Sequence, residues 1–357
     1  MVCLLQPFSQ WIDSLKVGLS THKEQKMKAI CVTAARDLEV RDVPTPTEPA
    51  PSHVLIDMAA SAINHGDKTF LKQPASVGVA LPAVRHDVWG ASGAGRVVAV
   101  GDGVPSRYVG RQVAIYRSLG RSAESVGLWS ARAEMPYTNC VILPEHVSPV
   151  DYSGSLVNVM TAYAFIEGIT TAAHRGIVVT AGHSATGNAI AALARRRGIP
   201  AIFLARNHEA RDALHAAGIE HVIVTSEGFT STLAELSARL ETTAVFDGVG
   251  GQLLSDVATA LPVNSTIWCY GFLGAAQPVS FPTTLVMMKN LVIRRFSNFD
   301  SATVKDRRRL EAALQDLEQV IDDPLYRTRI GKTFAFEQIE AAMAYEGAGG
   351  TKAILVA

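Results

Sequence analysis

Between residues 177 and 300 the chain repeats one rhythm, and that rhythm restricts the available folds more than any other feature. The apolar run Ile177–Ala181 is followed by the helical-period segment Ala189–Arg197, and Ala201–Ala205 by Glu209–Ala217. His221–Val224 then precedes Ser231–Leu240, Ala244–Asp247 precedes Gln252–Leu261, and Ser265–Tyr270 closes the series. Short apolar runs of this kind read as strands buried on both faces. Strands joined through helices by short connections run parallel with right-handed crossovers, so this stretch predicts a doubly wound α/β sheet.

Upstream the rhythm changes. Val54–Met58, Gly95–Gly101 and Val113–Tyr116 are short and β-branched, with turn signals at Pro44-Thr45-Pro46 and Gly101-Asp102-Gly103 between them. That half is mostly β. At about 150 residues per domain, 357 residues predict about two domains. Downstream, Leu310, Leu314, Leu317 and Ile321 mark one face of a long helix. The tail ends in a helix around Ile339, Ala342 and Met343 and a strand Lys352–Val356. Residues 1–26 stand apart as an N-terminal extension. Phe8, Trp11, Ile12, Leu15 and Leu19 recur at helical spacing, without the compact apolar run of a secretory signal or the arginines of a transit peptide. Met27 opens the domain proper.

Charge and cysteine usage exclude several functions. Thirty-three basic and thirty-three acidic residues cancel, so no global field draws in nucleic acid or a membrane surface. No run approaches the ~18 apolar residues of a membrane span. Cys3, Cys31, Cys140 and Cys269 are scattered without a C-x-x-C pair, which argues against a four-thiolate zinc site and a disulfide framework. A reducing, cytoplasmic compartment is expected.

Two turns carry candidate chemistry. Ala181-Gly182-His183-Ser184-Ala185-Thr186-Gly187 lies between a buried strand and a helix, where small residues let backbone N–H groups approach a pyrophosphate. A plain strand-to-helix turn is the simpler alternative. The next strand ends in Arg206-Asn207 rather than in Asp or Glu. An acid there would bind a ribose 2′-hydroxyl, whereas an arginine suits a 2′-phosphate, so NADPH is the expected cofactor. The competing reading is that Arg206 only closes a surface loop.

With these turns the sequence resembles the medium-chain dehydrogenase/reductase superfamily, in its zinc-independent quinone oxidoreductase and enoyl reductase branch. The resemblance runs over nearly all of residues 27–357. It rests on Ala62-Ile63-Asn64-His65-Gly66-Asp67, Gly90–Gly101, Tyr108–Val113, Met160-Thr161-Ala162-Tyr163 and Val245–Gly251. It implies a GroES-like β domain over 27–155, completed by about 305–357, and an NADP-binding Rossmann domain over 156–304. It also implies a homodimer. Zinc-dependent members carry Gly-His-Glu where this chain reads Gly90-Ala91-Ser92, and no cysteine stands near Asn64, so no metal is expected.

By the same resemblance, Asn64 faces the nicotinamide and substrate, Thr161 contacts the nicotinamide, and Tyr270-Gly271-Phe272-Leu273 runs past it. Phe296–Phe299, with Asn298, walls the substrate cleft or packs in the core. Ser184, Ala185, Thr186 and Gly187 hold the phosphates. Enoyl reductases place a proton-donating tyrosine eleven residues after the Asn, but here that position is Ala75. Lys68 and Tyr116 are substitutes by location. The implied function is NADPH-dependent, zinc-free hydride transfer to a quinone or an activated C=C bond of a small electrophilic substrate. A non-catalytic NADPH-binding sensor or structural protein is the alternative, and an alcohol dehydrogenase the weaker one.

Overall fold

The computed structural model describes residues 25–72, 84–274 and 277–357. The extension, apart from its last two residues, and Ala75 lie outside them.

The N-terminal half holds β1 (Lys26–Val32), β2 (Leu38–Pro44), β3 (His53–Ala62), α1 (His65–Lys72), β4 (Ser92–Val100), β5 (Gln112–Tyr116), β6 (Arg132–Pro136) and β7 (Cys140–Ile142). A helix α2 (Leu156–Thr171) leads into the alternating segment: β8 (Gly176–Val179), α3 (Ala185–Arg197), β9 (Ala201–Ala205), α4 (His208–Ala216) and β10 (Val222–Val224). It continues with α5 (Phe229–Leu240), β11 (Thr242–Asp247), α6 (Gly251–Ala260), β12 (Thr266–Cys269), α7 (Thr283–Lys289) and β13 (Val292–Arg295). The tail adds α8 (Ala302–Lys305), α9 (Arg307–Glu318), β14 (Ile330–Ala335), α10 (Ile339–Ala344) and β15 (Lys352–Val356).

β8 to β13 form one parallel sheet in the order β10-β9-β8-β11-β12-β13. The order reverses between β8 and β11, which is where open α/β sheets bind ligands beyond their carboxyl ends. Both faces are covered. On one, α2 and α3 pack with Phe203, Phe246 and Leu314. On the other, Leu233, Leu254 and Val257 of α5 and α6 cover Val178 and Ile202. Helix α2 is buried nearly all round, as an apolar helix between two layers must be.

The second sheet runs β14-β15-β3-β4-β5-β7, with β6 also on β3. β15 pairs antiparallel with the end of β3 (Ile354 opposite Ala62), so the chain's last strand seals the sheet that its first half began. Helix α9 packs on β7, and its Leu310, Ala313 and Leu314 join a core that α2 and α3 share with Ala114 of β5 and Val141 of β7. β14 and β15 lie in that second sheet. α3 also starts earlier than its apolar period suggests. Ser184 caps it, accepting from the Gly187 N–H at 2.9 Å, so the helix begins at Ala185 rather than near Ala189.

Candidate active site

The site forms where the two sheets meet. β3 ends at Ala62, and the tight turn into α1 buries Asn64 and Asp67. Asp67 is fully enclosed, and its carboxylate accepts from the Asn64 N–H at 2.8 Å, from Asn64 Nδ2 at 3.1 Å and from the Ala91 N–H at 2.9 Å. Burial raises its pKa, while those hydrogen bonds and the Arg117 guanidinium hold the charged form. Asn64 Nδ2 also donates to Ser92 Oγ at 2.7 Å, and its Oδ1 accepts from Lys352 Nζ at 2.6 Å. Lysine can only donate, which fixes the amide's orientation. Both Asn64 N–H atoms are therefore engaged within the protein. Its amide holds Lys352 in place instead of offering a free donor to a substrate, which revises the expectation for this residue.

The other two catalytic candidates diverge. Lys68 Nζ donates to the Tyr345 carbonyl at 2.8 Å, so its ammonium is turned toward the C-terminal segment. Tyr116 lies opposite Ser92 in the β4–β5 ladder, on the same face of the sheet. Its hydroxyl is 3.5 Å from Asn298 Nδ2, and burial raises the phenol's pKa far enough to keep it protonated. Asn298 Nδ2 also reaches Thr161 Oγ1 at 3.3 Å. Thus Tyr116, Asn298 and Thr161, drawn from three distant parts of the sequence, share one polar chain.

On the Rossmann side, Thr180 and Asp247 fasten the ends of β8 and β11. Thr180 Oγ1 donates to Asp247 Oδ1 at 2.6 Å, and Asp247 accepts from the Gly250 N–H at 2.9 Å. The adjoining turn approaches itself closely: a Cβ on Gly187 would meet the Gly182 carbonyl at 2.2 Å. Ser184 takes the Gly187 N–H, and the Ser184 carbonyl takes the Asn188 N–H. The N–H groups of Ala185 and Thr186 have no acceptor among the described residues. Two free N–H groups at the positive end of a helix suit a phosphate. Arg206 is exposed at the end of β9, and Asn207 beside it caps α4 through the Ala210 N–H at 2.9 Å. This donor set fits an anionic dinucleotide.

Tyr270 stacks on Phe246 with ring centroids 4.0 Å apart, and Gly271 passes so near Gly248 that a Cβ would lie 2.8 Å from its carbonyl. Phe272 and Leu273 are left exposed, and Phe272 meets His65 edge-on at 5.7 Å. That contact brings the segment after β12 to the residue next to Asn64.

Three functional candidates were missed from sequence. Asp67 stood in a motif without a role assigned to it. Lys352 is the one charged residue of β15, a signal that an apolar strand's opening lysine could have given. Arg329, one residue before β14, reaches His183 in the turn before α3. The Ala91 N–H and Ser92 Oγ are engaged by Asp67 and Asn64, and among the described residues no three His, Cys, Asp or Glu side chains are grouped to hold a metal.

Two family models match this architecture in sequence: an alcohol dehydrogenase GroES-like domain over residues 50–145 and a zinc-binding dehydrogenase domain over residues 185–317. Together they define a two-domain dehydrogenase class. The chain belongs to the medium-chain dehydrogenase/reductase superfamily that these two models define. It is 29% identical over 265 residues to the mitochondrial enoyl-[acyl-carrier-protein] reductase of Arabidopsis thaliana, over 70% of this chain and 66% of that protein, just under two thirds of its length. A Mesorhizobium loti protein described as an NADPH:quinone reductase superposes with a TM-score of 0.71 at 23% identity, over 93% of this chain and 98% of that one. A mycobacterial protein solved with NADPH superposes at 0.68 and 21% identity, over 93% and 100%. Among the described residues no helix is long and apolar enough to cross a membrane.

Proposed function

We propose that this protein is an NADPH-dependent reductase that delivers hydride to an activated C=C bond, in an α,β-unsaturated carbonyl or enoyl thioester, or to a quinone. The reading rests on one observation: the turn before α3 and the Asn64 network are brought together by Arg329 on His183 and by Phe272 on His65. The enoyl reductase relative and the neighbour solved with NADPH support it.

The dinucleotide would lie across the carboxyl ends of β8, β9, β11 and β12. Ala185 and Thr186 would hold its diphosphate, with Ser184 and Gly187 shaping the turn. Arg206 and Asn207 would face the adenosine ribose and its 2′-phosphate. Thr161, Asn298 and the backbone from Tyr270 to Leu273 would flank the nicotinamide. When bound, the cofactor supplies the hydride. Within the chain, Asn64 and the Gly154 carbonyl, 3.3 Å from Lys352 Nζ, orient that ammonium. Its positive charge favours the negative charge that grows on the substrate oxygen. Tyr116 holds a proton on its buried hydroxyl, ready for the carbon next to the carbonyl once the hydride has added to the far one. The working unit is inferred to be a homodimer.

The test is NADPH oxidation against a panel of enones, enoyl thioesters and quinones. Turnover with at least one acceptor is expected, unchanged by EDTA and lowered about a hundredfold or more in Tyr116→Phe, the low end of the range for losing a general acid. Tight NADPH binding without turnover on any acceptor would overturn the reductase in favour of a cofactor-binding protein. Activity lost to EDTA and restored by zinc would overturn the metal-free chemistry.

A further inference from the structure

We propose that Arg329 is a binding residue for the dinucleotide's diphosphate, carried across the cleft from the opposite sheet. The inference rests on the reading of the protein as dinucleotide-dependent. Arg329 directly precedes β14, in the sheet that holds Asn64 and Lys352, and its carbonyl accepts from the Lys352 N–H at 2.8 Å. Its side chain does not stay with that sheet. Nη1 donates to His183 Nε2 at 2.8 Å, and Nη2 donates to the His183 carbonyl. His183 lies inside the turn that precedes α3, so the guanidinium sits on the phosphate turn itself.

Guanidinium can only donate, so His183 accepts through Nε2 and is neutral. Burial and the nearby Arg329 and Arg206 lower the imidazole's pKa, which keeps it so. The contact with His183 uses two of the five guanidinium N–H groups. Among the described residues no carboxylate pairs with Arg329. A partly buried arginine is normally matched by an acid, because an unmatched charge removed from water is costly. Here the neighbouring charges are positive as well: Lys352 feels the repulsion of Arg329, and the free N–H groups of Ala185 and Thr186 mark a helix's positive end. Asp67 offsets part of the charge on Lys352, but no carboxylate among the described residues pairs with Arg329, so the guanidinium lacks an anion. A diphosphate bridging α3 and Arg329 would supply it and would tie the two sheets together. Arg206, at the end of β9, is left for the 2′-phosphate.

The two arginines therefore separate by ligand, and calorimetric titration of the full chain with NADPH and with NADH reads the difference. Arg329→Ala should weaken both dinucleotides alike, by about tenfold or more, whereas Arg206→Ala should weaken NADPH alone. The salt dependence of NADH binding should become shallower in Arg329→Ala, because one fewer cation meets the phosphates. Loss of turn bracing alone would leave that slope unchanged and would be reproduced by His183→Ala; either result overturns direct contact. Arg329→Lys keeps the charge should the alanine variant fold poorly, and it is expected to keep the wild-type salt slope. A loss confined to NADPH would move Arg329 to the 2′-phosphate and overturn the diphosphate assignment. Unaltered binding in Arg329→Ala overturns this inference alone, whereas a wild-type chain that binds neither dinucleotide overturns the functional reading with it.

Discussion

Lys352 shows how one side chain's environment sets both its charge and its contribution to stability. Burial pushes its ammonium down from the ordinary 10.5 to about 8; Asp67 pulls it back up and Arg329 pushes it further down. Between about pH 8 and pH 10.5 the unfolded chain holds the Lys352 proton while the folded chain has released it. The unfolded state then binds more protons, so stability rises with pH across this window. Below it, the folded protein bears the cost of a buried ammonium, which Asn64 Oδ1 and Asp67 only partly offset. Lys352→Met removes this titration. Urea unfolding from about pH 8 to about pH 10.5 should show wild type gaining on the variant as pH rises. A constant difference between the two would contradict the buried-ammonium account.

At the scale of elements, two glycines in helices predict opposite outcomes. Gly187 lies in the first turn of α3, where a Cβ would meet backbone carbonyls at 2.2 and 2.5 Å that have no room to withdraw. Gly187→Ala should distort the phosphate turn, lowering both the melting temperature and dinucleotide affinity. Gly168 lies on the exposed side of α2 with nothing within 4 Å of its Cβ direction. Gly168→Ala should stabilise the protein by about 0.5–1 kcal/mol, since alanine gives up less backbone entropy in a helix. Thermal melts of the two variants beside wild type check both signs. The turn from β8 into α3 was legible in the sequence because its signals are local: an apolar strand, small residues and a capping serine within a few positions. The strand order was not readable from periodicity, which gives direction of travel but not neighbours. The cleft's cations were hidden for a related reason. Lys352 meets a partner 288 positions away, and Arg329 one 146 positions away, so no spacing rule connects them. The sequence likewise does not show that both N–H atoms of the Asn64 amide are taken by Asp67 and Ser92.

At the scale of the whole molecule, the β13 edge of the parallel sheet is the apolar one left open beside exposed methionines. Among the described residues β13 pairs with β12 alone, and all four of its residues, Val292 to Arg295, are exposed. Val292 and Ile293 are 45% and 42% exposed, and Met287 and Met288 on the adjoining α7 reach 76% and 79%. An open strand edge with apolar side chains is a template for pairing, and a lone chain would be expected to blunt it. Arg294 and Arg295 blunt it in part, with Arg295 paired to Asp300. They do not cover the methionines. A two-fold axis through β13 would set the strand antiparallel to its copy, continue the parallel sheet of each chain into one sheet, and bury the α7 surface on both sides. In a pairing centred on the strand, Ile293 would face Arg294 of the copy, so no arginine meets its like. Ile293→Lys would place like charges directly across the axis, which destabilises a strand pair. Sedimentation at micromolar concentration should find wild type as a dimer and Ile293→Lys as a monomer with an unchanged fold by circular dichroism. A wild-type monomer would reject the dimer, and a dimeric Ile293→Lys would move its interface away from β13.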